Sequence, residues 1–135
     1  MKVKLDDGAY LPERAHPEDA GLDLRARESR WVHPGGVTMF DTGIHVQIPL
    51  GHVGLVTSKS GLMAKGITCR GTIDSGYTGS IRAVLFNHGA EGYKVKAGDK
   101  ICQLVIMPIS LETVELVDEL DETERGAGAF GSTGR

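Results

Sequence analysis

The decapeptide GTIDSGYTGS, Gly71 to Ser80, places one carboxylate, Asp74, directly behind the apolar Ile73 and an aromatic, Tyr77, three residues further on. Glycines and small hydroxyl residues fill the rest of the run, as in a turn. A carboxylate held there can orient a water molecule and take its proton, and the glycines let backbone approach a ligand closely. Four other stretches carry groups suited to a phosphorylated small molecule. SKSGL (Ser58 to Leu62) sets the Lys59 ammonium, the Ser60 hydroxyl and the Gly61 amide at a turn into a short helix with Ser60 as its N-cap, an arrangement that binds phosphate. AGLDLRA (Ala20 to Ala26) sets Asp23 between leucines. GDKICQLVI (Gly98 to Ile106) sets one amide, Gln103, in an apolar strand, where it needs a partner from the core or from a ligand. RGAGAFGSTG (Arg125 to Gly134) offers a guanidinium for phosphate, the Phe130 ring for stacking and the Ser132-Thr133 pair on a glycine-rich backbone. Taken singly, each stretch has an ordinary reading: a hairpin tip, a Ser-Gly turn, a strand, a core amide, a frayed end.

The elements that must position these groups are strands. Nineteen glycines punctuate nearly the whole chain, and no long apolar stripe of helical period is present. In IHVQI, Ile44, Val46 and Ile48 fall on one face and His45 and Gln47 on the other. VGLVTS and IRAVLFN are β-rich runs, YKVKAGDK is a short strand ending in a turn, and ICQLVIMPI reads as a strand buried on both faces, with ETVELV after it. Many short strands at this spacing indicate an antiparallel sandwich or barrel. SGLMAKG is the one run that suits a short helix.

A chain of 135 residues, 40% hydrophobic and 24% charged, is the size of one domain with a real core. No run approaches a membrane span, and MKVKLDDGAY is too polar for a signal peptide, so a cytoplasmic protein is expected. Cys69 and Cys102 lack CxxC spacing and read as reduced, half-buried thiols, and the five scattered histidines offer no zinc site. A net charge of −3 gives no general attraction for nucleic acid or anionic membranes. A polyanionic substrate must then be held locally, by a few basic groups, backbone amides and a divalent cation. From Asp121 the chain turns acidic and then glycine-rich, too poor in apolar surface for a core, so residues 121–135 read as a mobile arm on a domain of residues 1–120.

The order and spacing of the five stretches, from Ala20 to Gly134, resemble the five motifs of the homotrimeric dUTPases, and FGSTG is the most specific of them. The resemblance implies a distorted antiparallel, jelly-roll-like β-barrel with one short helix, assembled as a trimer whose sites are shared between subunits. It implies hydrolysis of dUTP to dUMP and pyrophosphate, with Asp74 deprotonating the water that attacks the α-phosphorus. Mg2+ chelated by the triphosphate would be held through waters near Asp23 and Gln103, without a direct protein ligand. The hairpin from Thr68 to Tyr77, with Gly71, Thr72 and Ile73, would read uracil through its backbone, and Tyr77 would pack against the deoxyribose. Lys59, Ser60 and Gly61 would contact the inner phosphates. Arg125, Gly131, Ser132 and Thr133 would reach the outer ones while Phe130 closes over the base. The sequence departs from the family pattern at Lys59, where arginine is usual, in a shorter run from Gly61 to Asp74, and at Ala129. Two alternatives share the fold. A dCTP deaminase would need a glutamate ten residues beyond Asp74, where Val84 stands. A nucleotide-binding regulatory protein acting on a protein partner would have no need of the complete set Asp74, Ser60, Gln103, Arg125 and Phe130.

Overall fold

The structure is a computed structural model that describes residues 1–129. Among these the strands, in chain order, are β1 (Lys2–Leu5), β2 (Gly21–Arg25), β3 (Arg30–Val32), β4 (Val37–Asp41), β5 (Ile44–Gln47) and β6 (His52–Thr57), followed after the helix α1 (Ser60–Met63) by β7 (Ile67–Asp74), β8 (Arg82–Asn87), β9 (Tyr93–Val95) and β10 (Lys100–Pro108). Six of them form a curled sheet in the order β2-β10-β6-β7-β8-β4, and β1 with β5 and β3 with β9 form two-stranded sheets. Every pairing is antiparallel. The chain is therefore all-β with one short helix, a half-closed barrel.

Period-two alternation decides which side chains enter the core. Ile44, Val46 and Ile48 are buried while Gln47 is exposed. They meet Leu24, Phe40, Ile67, Ile81, Leu85, Ile101 and Leu104 in one cluster. Each such side chain contributes about 1.5–3 kcal/mol by leaving water. At the centre of β6 the packing is tight enough to require glycine. A Cβ on Gly54 would stand 2.6 Å from Ile48 Cδ1 and 2.9 Å from Leu104 Cδ1.

Four expectations need correction. Cys69 and Cys102 are fully buried rather than half-buried, are unbridged, and share a thiol hydrogen bond; that bond and burial push the Cys102 thiol up. Ser60 is the first helical residue and not the cap: Lys59 is the N-cap, in extended conformation, with no side-chain capping bond. ETVELV adopts no strand, and Val114 and Leu116 are almost wholly exposed: the run pairs with no strand among the described residues. The outer end of β10 is not buried on both faces either: Met107 and Ile109 are exposed where the strand runs past the core.

Candidate active site in two halves

The first half lies where two neighbouring strands part. β7 pairs with β8 only over Ile67–Cys69. Beyond that point Arg70–Asp74 pairs with β6 alone, and Arg82–Val84 pairs with β4 alone. Along Gly71–Ile73 the alternate backbone N–H and C=O groups that point away from β6 are thereby left without a strand partner, and unpaired backbone is a ready reader of a flat hydrogen-bonding ligand. A cavity of about 230 Å³ opens in this wedge, lined by Thr72, Ile73, Asp74, Tyr77 and Arg82. Asp74 is exposed at its mouth, on the last residue of β7.

The loop that follows is held at several points. The Tyr77 amide donates to the Asp74 carbonyl at 3.0 Å, closing a turn. The Tyr77 ring folds back over Gly79, where a Cβ would stand 2.4 Å from the phenol oxygen, and the hydroxyl donates to the Ser80 carbonyl at 3.0 Å. Glycine at 79 is thus the condition for the ring's place beside the wedge. Ser80 Oγ donates to Asp41, and this bond, with one from the Gly43 amide, holds the Asp41 carboxyl below the usual range.

The second half is built on paired strands. Asp23 on β2 stands opposite Gln103 on β10, and its side chain is almost fully buried. Lys59 donates to Asp23 Oδ1, and Lys100 Nζ lies 2.6 Å from Oδ2. The second contact is an ion pair out of hydrogen-bonding alignment, so Oδ2 is buried without an aligned donor. Burial by itself would raise the Asp23 carboxyl; the bonds and charges of Lys100 and Lys59 outweigh it and bring the carboxyl below its ordinary value. A register irregularity between Lys100 and Cys102 opposes Lys100 to Arg25 and Gln103 to Asp23. The extra residue brings Lys100 and Gln103, three apart, to one face. Gln103 Nε2 donates to the Ser58 carbonyl at 3.3 Å, and Gln103 Oε1 lies over Gly21, where a Cβ would stand 2.4 Å from it. Ser58 Oγ, bonded to both the amide and the carbonyl of Cys69, pins the turn that carries Lys59, Ser60 and Gly61.

The structure brings Asp74, Tyr77, Thr72 and Ile73 together, with Gly71 on the wedge edge, and separately brings Asp23, Lys59 and Gln103 together. Thr68 joins neither. It lies six residues from Asp74 on the same strand, about 20 Å along it, where its hydroxyl meets His88 Nε2 at 2.8 Å. Within one chain, then, the structure does not bring Thr68 together with the wedge residues. Arg125 is exposed, and its Nε donates to the Gly128 carbonyl within its own turn; Phe130, Gly131, Ser132 and Thr133 lie outside the described residues. Two functional candidates escaped sequence reasoning. Arg82 is visible only once β7 and β8 are seen to part. Lys100 lies in the same stretch as Gln103, but strict alternation assigns it to the opposite face, and the bulge reverses that.

The two halves thus present a carboxylate at the mouth of a backbone-edged slot and a cationic patch around a buried aspartate, both on an antiparallel β scaffold. The family model for dUTPase matches residues 7–134, and the chain belongs to the dUTPase family. It is 42% identical to the deoxyuridine 5'-triphosphate nucleotidohydrolase of Alkaliphilus metalliredigens, over 99% of this chain and 96% of that one. Among solved structures it is similar to a variant dUTPase of Staphylococcus bacteriophage 80alpha with dUpNHpp, at a TM-score of 0.94 and 32% identity, covering 99% of this chain and 98% of that one. It is also similar to a variant dUTPase from phage phi11 of S. aureus, described as revealing the coordination of a structural Mg(II) ion, at a TM-score of 0.81 and 31% identity, covering 87% and 96%.

Proposed function

We propose that this protein is a cytoplasmic, homotrimeric dUTP diphosphatase that releases dUMP and pyrophosphate. The observation that carries the reading is the wedge between β7 and β8 with Asp74 at its mouth. Unpaired backbone from Gly71 to Ile73 hydrogen-bonds the uracil edge, and Tyr77 packs on the sugar where a 2′-hydroxyl would project. Lys59, Ser60 and Gly61 hold the inner phosphates; Arg125, Gly131, Ser132 and Thr133 hold the outer ones, with Phe130 over the base. Asp74 takes a proton from a water whose oxygen forms a bond to the α-phosphorus, while the bond to the bridging oxygen breaks in line and pyrophosphate departs.

The residues present fit a Mg2+ ion that arrives with the triphosphate. Among the described residues no group of three or more His, Cys, Asp or Glu could cage a metal directly. The buried Asp23 Oδ2 without an aligned donor, with Gln103 opposite, suits the waters of such an ion. When bound it neutralises charge on the phosphates.

The two halves lie too far apart to act within one chain. Asp74 pairs with Val53 at one end of β6 and Arg70 with Thr57 at the other, four residues or about 13 Å away, with Lys59 beyond. A site with both halves takes them from different copies. Residues 109–120 support the same assembly: Leu111, Val114, Leu116, Val117 and Leu120 are exposed apolar side chains in need of a covering surface. No helix among the described residues is long and apolar enough to cross a membrane, and the buried free thiols suit a reducing compartment.

Product analysis with dUTP, dCTP and dTTP, each with Mg2+, tests the reaction. The expected result is dUMP and pyrophosphate from dUTP alone, whereas conversion of dCTP to dUTP would identify a deaminase instead. Sedimentation should give a particle near three times 14.4 kDa; a fully active monomer would overturn the shared site.

A further inference from the structure

Loop 75–80, which carries Tyr77, is tied from behind by a group that the reaction does not use. His45 projects from β5 away from the core, with its side chain about one-fifth exposed. Its Nδ1 lies 2.8 Å from the Thr78 carbonyl and its Nε2 lies 3.1 Å from Asp6 Oδ1. A carbonyl and a carboxylate both only accept, so the two contacts are hydrogen bonds together only when both ring nitrogens carry protons, as in an imidazolium.

The tie is one link in a longer chain. Asp6 Oδ2 faces Arg27 Nη1 at 3.8 Å, Arg27 Nη2 faces Asp41 Oδ2 at 3.7 Å, and Asp41 Oδ1 accepts from Ser80. The sequence Thr78, His45, Asp6, Arg27, Asp41, Ser80 therefore leaves the loop at one residue and returns to it two residues later. Tyr77 sits at the tip, bonded to the Ser80 carbonyl. Gly43 gives the chain its room: a Cβ there would stand 2.8 Å from Arg27 Nη1.

We propose that His45 is a positioning residue for the Tyr77 loop: as an imidazolium between Asp6 and the Thr78 carbonyl it fixes the ring that excludes a 2′-hydroxyl, making the preference for deoxyribose over ribose nucleotides depend on pH. The proposal rests on the functional reading above, in which Tyr77 meets the sugar. Neutral imidazole keeps a single N–H and must release either Thr78 or Asp6. The Thr78 carbonyl and the Asp6 carboxylate raise the His45 pKa above its ordinary value, against partial burial and the Lys4 charge. Lys2 and Lys4 are the other charged groups lining the cavity beside His45, Arg27 stands behind Asp6, and the loop presents only its backbone carbonyl. The tie is complete below the ordinary histidine pKa and lost as pH rises through the raised one.

The test is the ratio of kcat/KM for dUTP to that for UTP, measured on the full chain from about pH 6 to about pH 9. Titration of the triphosphate affects both nucleotides alike and cancels in the ratio. The wild-type ratio should fall about three- to tenfold across the range, the worth of one hydrogen bond, and His45→Ala should give the low ratio at every pH. In parallel, the Thr78 and Gly79 amide resonances should shift with the same midpoint as the His45 ring resonances. A flat wild-type ratio, a His45→Ala ratio equal to wild type, or loop amides that ignore His45 would each overturn the proposal. A wild-type protein that releases no pyrophosphate from dUTP would instead overturn the functional reading, and the amide titration would still decide whether His45 holds the loop.

Discussion

The two halves of the site solve opposite problems with opposite materials. The wedge between β7 and β8 offers hydrogen-bonding backbone left over where a sheet splits, one exposed carboxylate and a ring folded on a glycine. The patch on β2, β10 and the turn after β6 offers charge: a buried aspartate, two lysines that neutralise it and an amide, with Asp23, Lys100 and Gln103 on strands that stay paired. A base is flat and neutral and is told from its relatives by the placement of donors and acceptors, which backbone fixes with little side-chain entropy. A triphosphate is highly charged and nearly symmetric, so countercharge matters more than outline. The lesson is that unpaired backbone and charge are offered at separate places in one fold, the first where β7 and β8 part and the second around Asp23 on β2 and β10.

The largest expected effect comes from the wedge. Asp74→Asn should lower kcat by ~10²-fold or more and leave nucleotide affinity nearly unchanged, because it removes the proton acceptor and keeps the shape. The same variant sharpens the division of labour. Mixed under conditions that allow exchange of subunits with Gln103→Leu, which damages only the other half, it should regain activity above either parent, since some mixed sites then hold two intact halves. No regain would mean that one chain supplies both.

A smaller effect separates the ring from its loop. Tyr77→Ala and Gly79→Ala should each narrow the preference for dUTP over UTP by about tenfold, the second because a methyl at residue 79 expels the ring from its place. Gly76→Ala, which projects into open space, should leave the preference alone. Equal effects at residues 76 and 79 would show that loop flexibility, and not the seat of the ring, sets the preference.

The smallest effect belongs to the charged half and concerns stability. The Asp23 carboxyl is held below its ordinary value, so its contribution is present above the ordinary aspartate pKa of about 3.9 and lost as pH falls through the lower, folded one. Thermal melts should show wild type losing more stability than Asp23→Asn between about pH 4 and about pH 2. At neutral pH Asp23→Asn should cost about 1–3 kcal/mol, the lysines being able to turn to water.

The sequence by itself determined what travels along the chain. Alternation in IHVQI, the β-rich runs around Val53 and Leu85, and the turn residues from Ser75 to Ser80 encode strand, face and loop locally, because a side chain's direction in a strand depends only on its parity. The chemistry of Asp74, Tyr77, Lys59, Asp23 and Gln103 was legible for the same reason: residue type and neighbours suffice to name a base, a ring and a phosphate-binding turn. What only the tertiary structure decided is which groups share a space. The bulge that turns Lys100 toward Asp23 depends on β2 lying beside β10, some 75 residues away in sequence. Arg82 and Asp74 line one cavity, which Thr68 does not share, because β7 and β8 part after Cys69. His45 meets Thr78 and Asp6, 33 and 39 residues distant, and both bonds require β1 paired on β5. Lys59, not Ser60, caps α1 because the Ser58 hydroxyl is bonded to Cys69 and the chain enters the helix extended at Lys59. Parity is a property of a strand alone, whereas register, divergence and bulges belong to pairs of strands that a single stretch of sequence does not contain.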